Sequence, residues 1–159
     1  MKNISLIIIG ILLGAIAVLL IKPKAPGSEY FTEKESKYSF EETVAQLEAT
    51  VAETSGWKIL HTYDLQKSME KNGYKVLQAK VFSLCNPEYA SKILFSNQER
   101  VVSSMMPCRV SVYVKQNGKT YISTMNSADM AARMGGLVEE VMSKADADMA
   151  RIINDLLKE

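Results

Sequence analysis

The sequence lacks the motifs by which several large enzyme classes are recognised. It contains no GxxxxGK[ST] phosphate loop, no GxGxxG fingerprint after a strand and no GxSxG nucleophile elbow. It has one histidine and two cysteines, whereas a closed structural zinc site normally takes four such ligands. The sequence therefore favours a protein that is not an enzyme, although it leaves that question open.

Net charge is also nearly absent. The sequence has 19 basic and 18 acidic residues. Lys2 is the only charged residue before position 22, so residues 22–159 contain 18 basic and 18 acidic residues. A protein that binds the phosphate backbone needs a positive field, and the composition therefore argues against nucleic acid as a partner. Eight glycines, four prolines and two cysteines exclude the collagenous, disordered and disulfide-rich classes as well.

The amino-terminal part of the sequence contains one long uncharged segment. Residues 4–21, ISLIIIGILLGAIAVLLI, would form a helix about 27 Å long, which nearly spans the hydrocarbon core of a bilayer. Ala15-Ile16-Ala17 has the small-x-small form of a cleavage site, but the apolar run continues through Ile21. We predict an uncleaved transmembrane anchor over residues 4–21 that contacts the lipid bilayer, with a cleaved signal peptide as the competing interpretation.

The charges that flank this segment bear on its orientation. A short tail with a basic residue, Lys2, usually stays inside, whereas Lys22 and Lys24 on the other flank argue for the reverse. We expect a single-pass protein of the cytoplasmic membrane whose domain lies on the extracytoplasmic, periplasmic side. Residues 22–29 contain two prolines and a glycine and are predicted to be a linker. Residues 30–159 are predicted to form a single domain.

Hydrophobic periodicity in residues 30–159 alternates between strand and helix. Ser39 and Glu42 form a capping box at the start of a helix, and Asn117-Gly118 is a strong hairpin signal. The pattern predicts strands over 30–37, 57–64, 75–85, 108–115 and 119–125, and helices that begin near Ser39, Leu65, Pro87 and Leu137. This order predicts an α+β domain in which a two-layer arrangement places helices on one face of an antiparallel sheet.

Alternation along the strands predicts which side chains face the core. On the fourth strand we expect Cys108, Val110 and Val112 to face the core, and Arg109 and Ser111 to face solvent. On the third strand we expect the apolar face to carry Leu77, Ala79, Val81 and Cys85.

Two segments resemble domain-of-unknown-function family 302. They are Leu84-Cys85-Asn86-Pro87, followed by Ala90, and Pro107-Cys108-Arg109-Val110-Ser111-Val112-Tyr113. The resemblance covers roughly residues 30–155 and implies a TATA-binding-protein-like arrangement of strand, helix, four strands and helix. It also implies a small bacterial or archaeal protein with no established reaction. Members of the family often self-associate, so the resemblance implies a possible homodimer. Likeness to a DNA-binding saddle carries no function here, because the domain is neutral.

The two cysteines are the strongest candidates for chemical activity in the sequence. Cys85 ends one predicted strand and Cys108 begins the next, so the thiols would lie side by side if these strands were antiparallel neighbours. Buried core cysteines, a disulfide and a redox pair are all open interpretations. A disulfide would close a loop of about 24 residues and stabilise the domain by about 3 kcal/mol. A redox pair would lack the usual CxxC motif.

Methionines beside Cys108 raise the question of a soft metal. Met105 and Met106, together with Cys85 and Cys108, are candidate ligands for cuprous copper, because thioether and thiolate suit soft metals. A haem-associated protein that uses these thiols with Met105, Met106 or His61 is a related interpretation. Methionine is also a common gap filler in cores, so our main expectation is that no cofactor is bound.

Polar residues of the fourth strand form a candidate binding face. Arg109, Ser111 and Tyr113 share one side of that strand, and we group His61 with them, although a solvated sheet face has the same pattern. Parity with Trp57 and Ile59 alternatively predicts His61 at the edge of the core. The sequence as a whole predicts a membrane-anchored binding or interaction module for an unidentified ligand or protein. The alternative is a thiol-based redox, soft-metal or haem-binding protein.

Overall fold

A computed structural model of the chain describes residues 29–158. The predicted anchor over residues 4–21, and the linker up to residue 28, lie outside the described residues. Among the helices between residues 29 and 158, none combines the length and the apolar composition that a membrane crossing requires.

Residues 29–158 form five strands, five α-helices and one 3-10 helix. The strands are β1 (Phe31–Glu35), β2 (Lys58–Asp64), β3 (Ala79–Cys85), β4 (Cys108–Val114) and β5 (Thr120–Met125). The helices are α1 (Phe40–Glu53), α2 (Leu65–Glu70), α3 (Pro87–Phe95), α4 (Ser127–Ala132) and α5 (Gly136–Asn154), and the 3-10 helix is Glu99–Met105. The predicted α+β class and the order of its main elements are confirmed.

All five strands belong to one antiparallel sheet with the order β1-β5-β4-β3-β2. The hairpin between β4 and β5 turns at Asn117-Gly118, where Gly118 has a φ of 75°, a conformation that glycine adopts without steric cost. The side chain of Asn117 accepts a hydrogen bond of 3.0 Å from the backbone amide of Lys119. This turn fixes the register in which Val110 and Val112 lie opposite Thr124 and Ile122.

One face of the sheet is covered by α1 and α5. Helix α1 begins with the predicted capping box, in which Ser39 and Glu42 accept hydrogen bonds from each other's backbone amides. Apolar side chains at helical spacing on α1 and α5 pack against the alternate inward residues of the strands. This core contains Phe40, Val44, Leu47, Val51, Phe82, Leu84, Val110, Val112, Ile122, Ala145, Met149 and Ile152. A second, smaller cluster lies beneath α3, α4 and the 3-10 helix, and consists of Ile93, Val102, Ala131, Val138, Val141 and Met142.

The inward face of β3 is the opposite of the predicted one. Phe82 and Leu84 are fully buried in the core, whereas Ala79 and Val81 lie on the other face, and the strand begins at Ala79 and not at Lys75. The side chains on both faces of this strand are largely apolar, so alternation alone could not show which face points to the core. The bulkier set faces inward because Phe82 lies opposite Val110, and this pair buries more apolar surface.

The parity of β2 changes along the strand. A β-bulge lies between Ile59 and His61, so Ile59 packs against the core while His61 projects with Tyr63 on the other face. His61 is exposed and therefore does not lie at the core edge that the unbroken alternation predicts.

Candidate functional site

A small cavity lies where β3 ends and β4 begins, between α3 and α5. It encloses about 30 Å³ and is lined mainly by apolar and sulfur-containing side chains. Its walls include Trp57, Leu84, Cys85, Asn86, Tyr89, Ile93, Met105, Met106, Pro107, Cys108, Val141 and Met142. Small-molecule ligand sites usually measure about 300–1,000 Å³, so this space suits a single ion or water and is far too small for haem.

Both cysteines contribute to this cavity. Leu84 lies directly opposite Cys108 in the β3–β4 ladder, so Cys85 is one residue beyond that pair. Cys108 packs against the core with the predicted parity, whereas Cys85 has the parity of the opposite face and pairs with Lys58. Both residues are half-buried and both are free cysteines in the structure.

Burial controls the acidity of the two thiols. It raises the pKa of Cys85, and it raises the pKa of Cys108 to about 11, with smaller contributions from the charges of Cys85 and Asp146. Reactive cysteines have a lowered pKa and lie beside cations or helix amino termini. Both thiols are therefore overwhelmingly protonated at neutral pH, which is unfavourable for a redox or nucleophilic role.

Three methionines complete the sulfur lining of the cavity. Met105 reaches it from the end of the 3-10 helix, Met106 from the segment between that helix and β4, and Met142 from α5. A second cavity of about 30 Å³ shares Met105, Cys108 and Met142 with the first, and it adds Met125 and Met149. Five of the nine methionines and both cysteines thus surround these adjoining spaces.

A carboxylate on α5 holds two aromatic side chains of the cavity wall. Asp148 accepts hydrogen bonds of 3.1 Å from the indole nitrogen of Trp57 and from the hydroxyl of Tyr89, and it also pairs with Arg151. The two rings pack edge to face with centroids 6.3 Å apart. Burial alone would raise the pKa of Asp148, but the hydrogen bonds from Trp57, Tyr89 and Arg151 hold it below its ordinary value.

The start of α3 is fixed beside the cavity by Asn86. Its side-chain oxygen accepts hydrogen bonds from the backbone amides of Glu88 and Tyr89, and Pro87 occupies the first helical position. Gly56 adjoins this cap, since a β-carbon at Gly56 would lie 3.0 Å from the Asn86 amide nitrogen. The predicted Asn-Pro helix start therefore positions Tyr89 for its bond to Asp148.

The predicted binding residues all lie on the sheet face opposite the core, which we call the open face. Ser83 is paired with His61 on one side and Arg109 on the other, so the three form one row across β2, β3 and β4. Ser111 and Tyr113 occupy the next two rows. Ser83 is 2% exposed, and its hydroxyl finds no hydrogen-bond partner within residues 29–158.

Tyrosines and an ion pair form the other end of the open face. Tyr113 stacks on Tyr121 with ring centroids 6.2 Å apart and donates a hydrogen bond to Glu33. Lys115 pairs with Glu33 at 2.6 Å and lies 4.3 Å from the centre of the Tyr121 ring. Burial and the bond to Glu33 both raise the pKa of Tyr113. Its hydroxyl therefore remains a donor at neutral pH.

Residues 32–156 match the family model described as domain of unknown function DUF302. The chain belongs to this family. A crystal structure of an uncharacterized conserved DUF302 protein from Bacillus stearothermophilus has a similar fold, with a TM-score of 0.69 and 20% sequence identity. The similarity covers 79% of this chain and 97% of that one. No match was found among curated proteins.

Sequence reasoning missed several site residues of this DUF302 protein. Asp148 left a signal, because it continues the apolar spacing of Val141, Ala145 and Ile152 on α5, where a carboxylate needs a partner. Tyr89 lies within the segment that resembles the family, although its partner could not be named. Met142 gave no signal that distinguishes it from an ordinary core methionine.

Proposed function

We propose that this DUF302 protein is a membrane-anchored interaction module that binds a second copy of itself through the open face. The observation that carries the proposal is the one-sided packing of the sheet. Helices α1 and α5 cover one face, and the other presents His61, Arg109, Ser111 and Tyr113 to solvent or to a partner. Fold alone would not support a binding role, so the argument rests on these side chains.

The arrangement of small and large side chains on the open face suits a packed interface between two copies. Ser111 lies beside Ser123, and Ser83 is in the neighbouring row, so small side chains occupy the middle of the open face, which we call the trough. Tyr113 and Tyr121 border this trough at one end, and Arg109 and His61 border it at the other. Tyrosine and arginine are enriched in interface cores. In a two-fold pair of sheets about 10 Å apart, the large side chains of one copy would fill the trough of the other.

The predicted anchor over residues 4–21 would favour such pairing. The linker of residues 22–29 could span at most about 28 Å, which would hold the domain close to the bilayer. Confinement to a membrane raises the effective concentration of one domain beside another. We place the domain on the extracytoplasmic side because a short amino-terminal tail with a basic residue, Lys2, usually stays inside, although Lys22 and Lys24 argue for the reverse.

The association state of the full chain tests this proposal. Ser111→Lys places a charge in the trough, and Gln46→Lys places the same charge on the exposed side of α1. Sedimentation of the detergent-solubilised chain should show a dimer for the natural sequence and for Gln46→Lys, and a monomer for Ser111→Lys. A natural chain that remains monomeric at micromolar concentration, or a Ser111→Lys variant that remains dimeric, would refute pairing through this face.

Membrane attachment is tested separately. We expect the chain to stay with the membrane fraction after carbonate extraction, and a carboxy-terminal phosphatase fusion to be active outside the cytoplasm. Release by carbonate would refute the anchor, and a fusion active only in the cytoplasm would refute the orientation.

A further inference from the structure

We propose that the sulfur-lined cavity at the β3–β4 end of the sheet binds a single monovalent copper ion. Cys85, Met105, Met106, Cys108 and Met142 line it. The site shares none of the residues that we assign to the dimer interface, and it does not depend on self-association.

The convergence of sulfur is the first argument. The five residues come from β3, from the segment before β4, from β4 itself and from α5, so they are distant in sequence and meet only in the fold. Cuprous copper prefers thiolate and thioether ligands and needs two or three of them at one point. Methionine is a common gap filler in cores, but here three methionines and both cysteines line one small space.

The size of the space is the second argument. About 30 Å³ accommodates one ion or one water and excludes an organic ligand. The other lining residues are mostly apolar, among them Leu84, Ile93 and Val141, so a bound water would find few polar partners. A soft cation can be coordinated by the sulfur atoms, whereas a water forms only weak hydrogen bonds with them.

The scarcity of hard ligands is the third argument. Among the described residues that line this cavity there is no carboxylate and no histidine. Asp146 lines the adjoining cavity, where its carboxylate accepts a 2.7 Å hydrogen bond from the hydroxyl of Ser127. His61 lies on the open face and is not among the lining residues. Zinc, which favours a complete set of nitrogen and thiolate ligands, fits this lining less well.

The segment before β4 offers the route by which an ion would enter. Met105, Met106 and Cys108 are each half-buried, whereas Met142 is 9% exposed, so this segment is the more accessible part of the lining. A thiol that binds the ion releases its proton to solvent, and no electron is transferred. The ion would thus bridge β4 and α5.

Copper competition on the full chain tests the proposal. The chain is loaded with Cu(I) under anaerobic reducing conditions and titrated with bathocuproine disulfonate, a Cu(I) chelator. We expect one copper to be retained per chain, and X-ray absorption should show a shell of sulfur ligands only. Failure of the natural chain to retain copper, or a shell dominated by nitrogen and oxygen, would overturn the site.

Variants locate the ion. Loss of a residue that only supports a metal ligand weakens metal affinity by up to about 100-fold. Cys108 is a proposed direct ligand, so Cys108→Ser should weaken copper retention by at least about 100-fold. Met105→Leu with Met142→Leu nearly conserves volume, so this double variant should fold and still lose about tenfold in affinity. Met134→Leu, at a side chain 51% exposed and outside the lining, is the matched control and should bind as the natural chain does. Unchanged affinity in the methionine double variant would overturn the proposed ligand set.

Discussion

Replacing Asp148 by alanine removes the acceptor that ties the start of β2 and helix α3 to helix α5. Trp57 and Tyr89 each donate a 3.1 Å hydrogen bond to the same carboxylate oxygen, and Arg151 pairs with the other. The three donors differ in access to water. Trp57 is 5% exposed, Tyr89 is half-buried, and the side chain of Arg151 is 79% exposed.

These exposures decide the magnitude. Trp57 is 5% exposed, so Asp148→Ala would leave its indole N–H buried without an acceptor, and a buried donor without a partner costs about 1–3 kcal/mol. The hydroxyl of Tyr89 can turn to water, and it adds less. An exposed ion pair such as that with Arg151 is worth about 0–1 kcal/mol. We therefore expect Asp148→Ala to lower the free energy of unfolding by about 2–3 kcal/mol, and Arg151→Ala, the control, by less than about 1 kcal/mol.

Urea unfolding of the full chain, followed by far-ultraviolet circular dichroism, measures these changes. A double-mutant cycle with Trp57→Phe isolates the indole bond, because phenylalanine keeps an aromatic ring but has no donor to leave unpaired. The coupling energy should be about 1–2 kcal/mol. A loss below about 0.5 kcal/mol for Asp148→Ala, or a coupling energy of zero, would refute this account of the carboxylate.

The pH dependence gives the same carboxylate a second test. Its pKa is lowered in the fold from an ordinary value of 3.8, so the folded state binds fewer protons than the unfolded state in that range. The stabilisation is fully present above that ordinary value and is lost as the pH falls through the lowered pKa. Asp148→Asn should therefore flatten the acid limb of the stability curve. An acid limb identical to that of the natural chain would contradict the assignment.

Three further predictions concern the core, the α3 cap and the thiols. Phe82→Ala empties a fully buried position and should cost about 3–5 kcal/mol in urea unfolding, and a cost below 1 kcal/mol would show that the site collapses freely. Asn86→Ala removes the cap of α3 and should cost about 1–2 kcal/mol by the same measurement, whereas an unchanged midpoint would mean that Pro87 alone fixes the helix start. In metal-free protein, alkylation of Cys108 followed by mass spectrometry should be slow at pH 7 and accelerate toward pH 11, and rapid alkylation at pH 7 would contradict the raised pKa.

Local chemistry accounts for the parts of the fold that were predicted well. The Ser39–Glu42 box, the Asn86-Pro87 start of α3 and the Asn117-Gly118 hairpin each depend on residues within four positions of one another. Such signals are independent of what packs elsewhere. The amphipathic spacing of α1 and α5 is likewise a property of each segment alone, and the apolar residues of both helices lie in the core.

Predictions that depended on partners in other elements fared less well. The strand β3 offers two apolar faces, and its inward one was decided by Val110 across the ladder. A bulge in β2 reversed the parity that placed His61 with Trp57 and Ile59. Strand alternation has a period of two, so a single inserted residue transfers every later side chain to the other face.

The sequence by itself determined the α+β class, the order of its elements, the family and the near-neutral charge, because periodicity, caps, turns and composition are all local properties. Tertiary structure decided which residues became neighbours. It alone brought Met142 to the two cysteines and Asp148 to Trp57 and Tyr89, and it alone put His61, Ser83 and Arg109 into one row. Each of these meetings joins elements far apart in the chain, and their geometry follows from sheet register and helix packing, which no single segment encodes.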